Sequence, residues 1–567
     1  MPDPQPPATD ELAAFLEAPA SYPHGPDGVA LVRTHLSLVA LAGRFVYKVQ
    51  KPVDLGFADF STLAKREHAC REEVRLNRRL CADTYVGVVP IHRDADGALT
   101  FAETDEAPVA FAVKMRRLAE EGFLDDRIDA GDAGKDELER VARRLADCYR
   151  RQASTPEIAA WGRPEKLRVN TDENFDQTEA HAAPQPSGRG AGHSTPHGDD
   201  PQAARSDVLP RPAFDALRYY TDRFLDERAA LLHRRCAEGR ILEGHGDLRL
   251  EHVHLSPSAE ADGEGVCIYD CVAFNERLRA LDVANDAAFL AMDLDFHGAP
   301  GLSLFFARRL AALLDDPELL ALIDFYKTYR AYVRAKVDLL QSQNEDLPDE
   351  KRAEQRDRAR RHVQQALRYA TAGSGPAVIA VMGRPATGKT TQAQALAELL
   401  GADYAASDRT RKELAGVSLR ERPDDAAREA LYTPGMTERT YAALCDRALD
   451  ATRAKRPVVL DATFGKQHHR DRLRETLREQ GGEDGIPHCF VELTASDDAI
   501  EARLADREGT RSLSDARRED FEMLAADYEA PTALEDARHV TVSTDDGDAT
   551  APDATTTAVL KRLVRHL

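Results

Sequence analysis

The segment HGDLRLEHVHL, residues 245–255, brings chemically active side chains together at short spacing. His245, Asp247, His252 and His254 could ligate a metal ion through imidazole nitrogens and a carboxylate. Alternatively, they could form a loop in which Asp247 takes a proton from a hydroxyl group and His252 ligates a metal. A histidine-bearing turn without chemistry is the third interpretation. The sequence favours the loop, because no further ligand cluster such as HExxH occurs nearby.

A second segment, GRPATGKT at residues 383–390, fits the pattern G-x-x-x-x-G-K-[ST]. It follows the apolar segment AVIAVMG and opens the helical segment TTQAQALAELL. Glycines in this context let backbone N–H groups surround phosphate oxygens, and the helix N-terminus adds a favourable dipole. The sequence therefore predicts a nucleotide site formed by Gly383, Arg384, Pro385, Ala386, Thr387, Gly388, Lys389, Thr390 and Thr391.

Further residues around this loop have types that suit ATP and Mg²⁺. Lys389 is expected to contact the terminal phosphates, and Thr390 to ligate Mg²⁺ together with Asp461, which ends the apolar run of VVLDATF. The segment SDRTRK places Asp408 and Arg411 three apart at a predicted strand-to-helix junction. There Asp408 could accept a hydroxyl proton and Arg411 could hold the acceptor. A helix N-cap is the alternative role for Asp408.

These C-terminal motifs resemble the small P-loop kinases of the polynucleotide kinase and zeta-toxin type. Those proteins carry D-x-x-R after the second strand and D-x-T near the third, and RLADREGTR at residues 503–511 is similar to their arginine-bearing lid. The resemblance implies that Arg503 and Arg507 stabilise charge during phosphoryl transfer. A solvated helix face is the alternative for both arginines.

The first half of the chain contains four groups in the order that kinase chemistry requires. Lys48 lies in the strand-like segment FVYKVQK, and Glu72 lies on the following predicted helix, with Glu73 as the alternative. Asp247 follows in the HGD segment, and Asp270 ends the apolar segment of VCIYDCVAF. A lysine–glutamate pair and two aspartates in this order are typical of a kinase nucleotide site.

With these groups, residues 30 to about 340 resemble the aminoglycoside phosphotransferase family, whose catalytic loop begins HGD. The phrases VYKVQKPVDLGFADFSTL, HGDLRLEHV and FNERLRALDVANDAAFLAMDLDFHG resemble bacterial two-part proteins in which such a domain precedes a P-loop kinase domain. The resemblance implies that Asp270 and His252 ligate Mg²⁺ and that Lys48 contacts phosphate. Two features depart from the family: no G-x-G-x-x-G loop precedes Lys48, and His252 replaces an asparagine. Both turnover and ligand binding without turnover therefore stay open for this half.

The elements that must position these residues divide the chain into two predicted domains. After an extension over residues 1–24, residues 25–345 are expected to form a bilobal protein-kinase-like α+β fold. Residues 346–374 are expected to be a helical linker, and residues 375–567 a P-loop α/β domain with a parallel sheet. The stretch at about 182–207 is rich in Pro, Gly, Ser and His and is predicted to be a disordered insertion.

Composition limits the remaining possibilities. A chain of 567 residues is too long for one hydrophobic core, and a net charge of -22 disfavours bulk binding to nucleic acid or anionic membranes. The sequence contains no apolar run of membrane-spanning length, and its acidic start lacks the apolar region of a secretory signal. Eight cysteines fit a reducing compartment better than a disulfide scaffold. We therefore expect a cytoplasmic protein, whose oligomeric state stays open.

The sequence thus predicts an ATP- and Mg²⁺-dependent phosphotransferase that acts on a hydroxyl group of a small molecule through two nucleotide-binding modules. Two alternatives stay open: a kinase-like sensor that regulates the P-loop half, and an ATPase switch that passes phosphate to water. The pair Asp408 and Arg411 favours a kinase, because an ATPase needs no base for an acceptor hydroxyl. Asp282, Asp286 and Asp293, near helical spacing, are interpreted as capping and local structure.

Overall fold

The structure is a computed structural model of the chain, and it describes residues 7–56, 58–182, 208–256, 265–418, 430–481, 485–507, 528–532, 534, 539–545 and 552–566. All but the first residue of the predicted insertion at 182–207 lies outside these ranges, as do residues 508–511 of the predicted lid. The side chain of Arg507 also lies outside the described part of the chain. Within that part, no helix is long and apolar enough to cross a membrane.

The strands are, in chain order, β1 (Val29–Arg33), β2 (Ser37–Ala42), β3 (Phe45–Gln50), β4 (Tyr85–Arg93), β5 (Leu99–Thr100), β6 (Ala110–Arg116), β7 (Ile241–Glu243), β8 (Val253–Leu255), β9 (Val266–Ile268), β10 (Ala280–Asp282), β11 (Val378–Met382), β12 (Asp403–Ala406), β13 (Val458–Asp461), β14 (His488–Thr494) and β15 (His539–Ser543).

The helices are, in chain order, α1 (Thr9–Glu17), α2 (Leu63–Asn77), α3 (Leu124–Asp129), α4 (Lys135–Arg150), α5 (Pro156–Ala160), α6 (Pro164–Thr178), α7 (Arg211–Glu227), α8 (Ala229–Ala237), α9 (Glu276–Arg279), α10 (Val283–Phe296), α11 (Pro300–Leu313), α12 (Glu318–Gln341), α13 (Asp349–Ala372), α14 (Lys389–Leu400), α15 (Ser407–Ala415), α16 (Pro434–Arg453), α17 (Gln467–Gln480), α18 (Asp497–Arg507) and α19 (Pro552–His566).

Packing divides the chain into two compact units, whose borders differ from the predicted linker at 346–374. Unit 1 comprises Met1–Arg168 and Arg228–Tyr326, and unit 2 comprises Val169–Glu227 and Lys327–Leu567. Helix α13, which fills most of the predicted linker, packs against α7, α14 and α19 within unit 2. It does so because one face of α13 is largely apolar and buried. The many charged residues of α13 make this face hard to recognise in the sequence.

Unit 1 contains a six-stranded antiparallel sheet in the order β1-β2-β3-β6-β4-β5. Successive side chains of a strand point to opposite faces of its sheet. On β3, Tyr47 and Val49 enter one hydrophobic cluster, whereas Lys48 pairs in register with Val113, which belongs to the cluster beside α2. Strand alternation therefore turns Lys48 toward helix α2.

A short antiparallel hairpin, β8–β9, follows the HGD segment and precedes Asp270. Cys267 on β9 forms a disulfide with Cys81, just beyond α2, with 4.6 Å between the Cα atoms. The other six cysteines, all in the described ranges, are free. The expectation of reduced cysteines therefore does not hold for this pair. Its partners are 186 residues apart, so only the tertiary fold makes them neighbours.

Unit 2 contains the predicted parallel sheet, in the order β12-β13-β11-β14-β15. The apolar segments AVIAVMG and VVLDATF of the sequence analysis correspond to β11 and β13. Buried side chains of β11, β12, β13 and β14 pack with apolar residues of α16 and α17 in one cluster. Because all five strands run in the same direction, their carboxyl ends meet at one edge of the sheet.

Unit 1 also buries an arginine whose charge is balanced by two aspartates. Arg235 is fully buried and donates four hydrogen bonds of 2.5–2.8 Å to the carboxylates of Asp282 and Asp316. Such a network tolerates burial only while every charge keeps its partner.

We expect Arg235→Met to lower the free energy of unfolding by about 3–5 kcal/mol, because two buried carboxylates would lose their counter-charge. The measurement is the urea midpoint, followed by circular dichroism. Arg234→Met is the matched control, since Arg234 pairs with Glu318 at an exposed position. Equal midpoints for the two variants would contradict the structural role of Arg235.

Candidate active sites

Lys48 lies at the centre of a partly buried ionic cluster in unit 1. Its ammonium nitrogen is 2.8 Å from Asp270 Oδ1 and 3.0 Å from Glu73 Oε1. Burial alone would lower the pKa of Lys48, but the two carboxylates outweigh burial and raise the pKa above its usual value. Gln50, on the same face of β3, donates a hydrogen bond of 3.2 Å to the other oxygen of Glu73. Lys48 is therefore a fixed cation beside Asp270.

The glutamate beside Lys48 is Glu73, the alternative in the sequence analysis, and the prediction of Glu72 is wrong. Helix α2 buries residues at spacings of three and four, and Glu73 is in that series whereas Glu72 is not. One residue rotates the helix by about 100°. Glu72 therefore points elsewhere and accepts hydrogen bonds of 2.8–3.2 Å from Arg75.

Asp270 combines an unusual backbone with a strongly acidic side chain. Its φ angle is +65°, in the left-handed region that non-glycine residues rarely adopt, and such strain is concentrated at functional sites. Burial raises the pKa of Asp270, but Lys48 and His252 overcome this effect and hold the pKa at about 2. The side chain is about two-fifths exposed, so an anionic oxygen faces solvent beside Lys48. Asp270 is thus suited to hold a divalent cation.

Two aspartates of α10 hold the HGD segment in place. Asp286 accepts hydrogen bonds from the backbone N–H groups of His245 and Gly246, at 2.5 and 2.9 Å, and one from the Tyr149 hydroxyl. Asp293 accepts a bond of 2.8 Å from the N–H of Leu250. The interpretation of these residues as local structure is therefore correct, and the structure that they stabilise is the HGD loop.

Asp247 is surrounded by two side chains. Arg249 donates hydrogen bonds of 3.2 and 3.1 Å to its two carboxylate oxygens, and also contacts Glu251. The His252 Nδ1 bonds the Asp247 carbonyl at 2.7 Å, which leaves Nε2 facing Asp270 Oδ2 at 3.8 Å. His252 can therefore act with Asp270 on one ion. We had not considered Arg249 from the sequence, although its position two residues after the aspartate was visible.

The four residues of the HGD segment do not form the alternative metal centre. His245 Nε2 bonds the carbonyl of Tyr269 at 2.7 Å, and His254 Nε2 bonds the carbonyl of Ala119 at 2.9 Å. Within the described ranges, these residues are not among those whose ligand atoms converge as a metal site requires.

In unit 2 the segment GRPATGKT joins β11 to α14, as predicted. Gly383 has a φ of +139°, and a Cβ there would lie 2.3 Å from the Leu493 carbonyl oxygen, so that only glycine fits. Gly388, with a φ of +88°, is the N-cap of α14. The loop thus places backbone N–H groups around the start of the helix, which is the arrangement that binds phosphate.

The side chains of this loop are tied to their surroundings. Lys389 Nζ donates a hydrogen bond of 2.8 Å to the Arg384 carbonyl, so the lysine spans the loop. The Arg384 guanidinium is 2.8 Å from Asp497 and bonds the Ala495 carbonyl at 3.0 Å. Thr390 lies exposed on the first turn of α14. Lys389 and Thr390 therefore both lie where a bound phosphate and its cation would be.

Asp461 ends β13 beside the loop, since it pairs in register with Val381, two residues before Gly383. Its Oδ2 accepts a hydrogen bond of 2.8 Å from the hydroxyl of Tyr404, on the neighbouring strand β12. Burial, followed by Asp461 and to a smaller extent Asp408, raises the pKa of Tyr404. Tyr404 was missed in the sequence, where it looked like an ordinary strand residue. It fixes the orientation of the Asp461 carboxylate.

Asp408 lies on the first turn of α15, next to the carboxyl end of β12. The N-cap position is occupied by Ala406, so the alternative that Asp408 caps the helix does not hold. Asp408 is half-buried. Its negative charge adds to the effect of burial in raising the pKa of Tyr404 and the pKa of Tyr441. Asp408, Asp461 and the phosphate loop therefore lie at the same edge of the parallel sheet.

The predicted arginines differ in position. Arg411 is buried, bonds the Leu431 carbonyl and the Thr437 hydroxyl at 3.1 Å each, and stacks on Tyr432. Its contact with an acceptor stays a prediction. Arg503 bonds the hydroxyl and carbonyl oxygens of Thr544, at 2.9 and 2.7 Å, and so anchors α18 to the end of β15. The prediction for Arg507 falls outside the described side chains.

Comparison with known protein families agrees with the geometry of unit 2. A family model described as an AAA domain matches residues 378–531, which include the phosphate loop, Asp408 and Asp461. Unit 2 therefore contains a P-loop kinase-like domain. The uncharacterized proteins Rv2004c of Mycobacterium tuberculosis and Mb2027c of Mycobacterium bovis are each 31% identical to the chain over 499 residues, 87% of this chain and 89% of theirs. The chain belongs to the same family as these two proteins.

Two solved structures are similar to a third of the chain. A gluconokinase from Sinorhizobium meliloti is 23% identical and covers 34% of this chain and 94% of its own, with a TM-score of 0.24. A sugar kinase from Janibacter is 21% identical and covers 33% of this chain and 98% of its own, with the same TM-score of 0.24.

The difference between the two neighbouring glutamates of α2 can be tested by substitution. We expect Glu73→Gln to lower the free energy of unfolding by about 1–3 kcal/mol, because Lys48 and Gln50 lose a charged partner inside the protein. Glu72→Gln, the matched control, affects the half-exposed contact with Arg75 and should change stability much less. Thermal unfolding of both variants decides the point. A larger loss for Glu72→Gln would contradict the pairing of Glu73 with Lys48.

Proposed function

We propose that the P-loop domain of unit 2 is an ATP-dependent phosphotransferase whose acceptor is a hydroxyl group of a small molecule. The observation that carries this proposal is the position of Asp408 and Asp461 at the same edge of the sheet as the phosphate loop. A phosphate loop alone would suit an ATPase equally well. A second carboxylate beside it, on the first turn of α15 and not at the N-cap, supplies a base for an acceptor.

Each residue has a distinct role in this proposal. The loop amides and Lys389 hold the phosphates of ATP, and Asp408 accepts the proton of the attacking hydroxyl. Thr390 and Asp461 offer two oxygen ligands, which is the donor type that Mg²⁺ prefers. When bound, Mg²⁺ would neutralise phosphate charge. The hydrogen bond from Tyr404 holds the Asp461 carboxylate in one orientation, which favours binding of the metal ion in a single geometry. Arg411 is the candidate for contacting the acceptor.

We further propose that unit 1 is a kinase-like nucleotide-binding module resembling aminoglycoside phosphotransferases. The support is the cluster of Lys48, Glu73 and Asp270, with Asp247 and His252 on the loop before the β8–β9 hairpin. Lys48 would contact phosphate, and Asp270 with His252 would hold a cation. Asp247 is the candidate base.

One observation favours a second candidate, in which unit 1 senses nucleotide without turnover. Both carboxylate oxygens of Asp247 accept hydrogen bonds from Arg249, so that a substrate hydroxyl would compete with the guanidinium for them. Such a module would bind nucleotide through Lys48 and Asp270 while Asp247 stays paired.

For the P-loop site, Lys389→Ala should reduce ADP release about 100-fold or more, since one charge-stabilising contact is lost. Asp408→Asn should reduce acceptor-dependent release by about 100-fold or more while preserving ATP binding, since only the base is removed. ADP release is measured with Mg-ATP and pools of aminoglycosides, sugars, nucleosides and short 5′-OH oligonucleotides. Exposed Lys351→Ala and Asp446→Asn are controls. Unchanged acceptor-dependent release in Asp408→Asn would sink the kinase assignment.

For unit 1, Mg-ATP binding is measured in the Lys389→Ala background so that the P-loop site is silent. Asp270→Asn should weaken this binding at least about tenfold, because a charged ligand for the cation is lost. Asp247→Asn should leave binding intact. If an acceptor stimulates turnover in this background and Asp247→Asn ends it, unit 1 is a second kinase. If binding occurs without any turnover, it is a sensor. Unchanged affinity in Asp270→Asn would refute the module.

A further inference from the structure

Two helices of unit 2 bring together a glutamate and two histidines that the phosphoryl-transfer proposal does not use. Glu438 lies on the first turns of α16, and His468 and His469 lie at the start of α17. Glu438 Oε1 is 3.0 Å from His468 Nε2 and 2.9 Å from His469 Nε2. All three potential ligand atoms lie within 4.8 Å of one another. Among the described residues, this group has the convergence that a metal site needs.

The spacing of these atoms suits a small tetrahedral ion. Zinc binds imidazole nitrogen and carboxylate oxygen at roughly 2.0–2.2 Å, so that two ligands of one tetrahedral ion are roughly 3.3 Å apart. The two measured nitrogen–oxygen separations are shorter by only a few tenths of an ångström. Two imidazoles with one carboxylate favour Zn²⁺ and similar transition metals over Mg²⁺ or Ca²⁺, which prefer oxygen ligands.

The surroundings of the group fix two of its three ligands. The ring of His469 is 5% exposed and stacks on Tyr441, with 3.7 Å between the centroids and 14° between the planes. The Tyr441 hydroxyl in turn accepts a hydrogen bond of 3.0 Å from the N–H of Phe464. Arg472 is 3.7 Å from Glu438 Oε2, the oxygen that neither histidine bonds. Oε1 is thereby left as the single oxygen for an ion, with Arg472 as an outer partner.

We propose that Glu438, His468 and His469 form a binding site for one divalent transition-metal ion of the zinc class. Three protein ligands leave a fourth position, which opens to solvent because the side chains of His468 and Glu438 are 62% and 50% exposed. Without an ion, both histidines would donate N–H groups to Glu438, which would be an ordinary charge-assisted contact. The two states differ in which ring atom holds a proton and in whether a metal is bound.

The site lies next to the residues of the proposed acceptor side. Thr437, the neighbour of Glu438, accepts the hydrogen bond from Arg411, and Tyr441 connects His469 to the backbone just beyond Asp461. An ion that joins α16 to α17 would hold both helices in place there. Binding of the metal does not depend on the phosphotransferase proposal, since none of the three ligands has a role in it.

The test is a metal titration of the full chain after treatment with a chelator. Co²⁺ is added in excess Mg²⁺ and followed by its visible absorption, and Zn²⁺ is added in parallel and counted after gel filtration by mass spectrometry. The variant is Glu438→Gln/His468→Gln, in which the buried His469 stays in place. The control is His297→Gln, which disrupts an exposed histidine–aspartate pair in unit 1. Circular dichroism checks that each variant is folded.

We expect the wild-type chain and His297→Gln to bind one equivalent of Zn²⁺ more than the double variant, with a tetrahedral Co²⁺ spectrum that the double variant lacks. Zinc should also raise the melting temperature of the wild-type chain more than that of the double variant. If the double variant binds Zn²⁺ with the same stoichiometry and within twofold of the wild-type affinity, the proposal is wrong. Absence of any bound metal in the wild-type chain would also overturn it. Subtraction of the double variant removes binding at Asp270, His252 and Asp461 from the comparison.

Discussion

Burial of a charged group requires an opposite charge beside it, and this constraint determines how unit 1 is assembled. Arg235 reaches the interior only because Asp282 and Asp316 surround its guanidinium. Lys48 is enclosed in the same way by Glu73 and Asp270. Lys48, Glu73 and Asp270 lie on a strand, on a helix and just after a hairpin that are separated in sequence. The ionic cluster therefore specifies the relative positions of these elements as well as a chemical site. A neutral substitute for Lys48 would leave two carboxylates without a counter-charge, whereas a neutral substitute for Glu73 or Asp270 would leave Lys48 with one partner instead of two.

A second constraint is that backbone N–H groups in loops need acceptors. The two halves satisfy it differently. In unit 1, Asp286 and Asp293 accept the N–H groups of the HGD loop, so buried carboxylates of α10 hold its backbone. In unit 2, the phosphate loop directs its N–H groups toward the start of α14, where an anion would satisfy them. The protein itself therefore supplies acceptors for the N–H groups of the first loop, whereas the second loop is arranged so that a ligand can supply them.

The parts of this architecture that follow from local patterns could be predicted from the sequence. Buried-type strands, the phosphate loop between β11 and α14, and Asp461 at a strand end all depend on neighbouring residues. The features that could not be predicted depend on which way a residue faces around a helix, or on contacts with residues that are distant in the sequence. Glu72 and Glu73 differ only in helix phase, and α2 is so polar that its buried face is not visible in the sequence. Tyr404, Arg249 and the bond between Cys81 and Cys267 acquire their meaning only from residues that the fold brings close. The assignment of α13 to unit 2 likewise rests on packing.

The two candidate bases lie in different surroundings. Asp408 stands on the first turn of a helix, where the positive end of the helix dipole stabilises its carboxylate. Asp247 has both oxygens bonded by Arg249, a donor that remains charged at any physiological pH. A guanidinium binds phosphate with the same two-pronged geometry that it uses for a carboxylate. Proton transfer to Asp247 therefore requires Arg249 to exchange one anion for another, and a phosphate group of a bound nucleotide is an anion of the required shape.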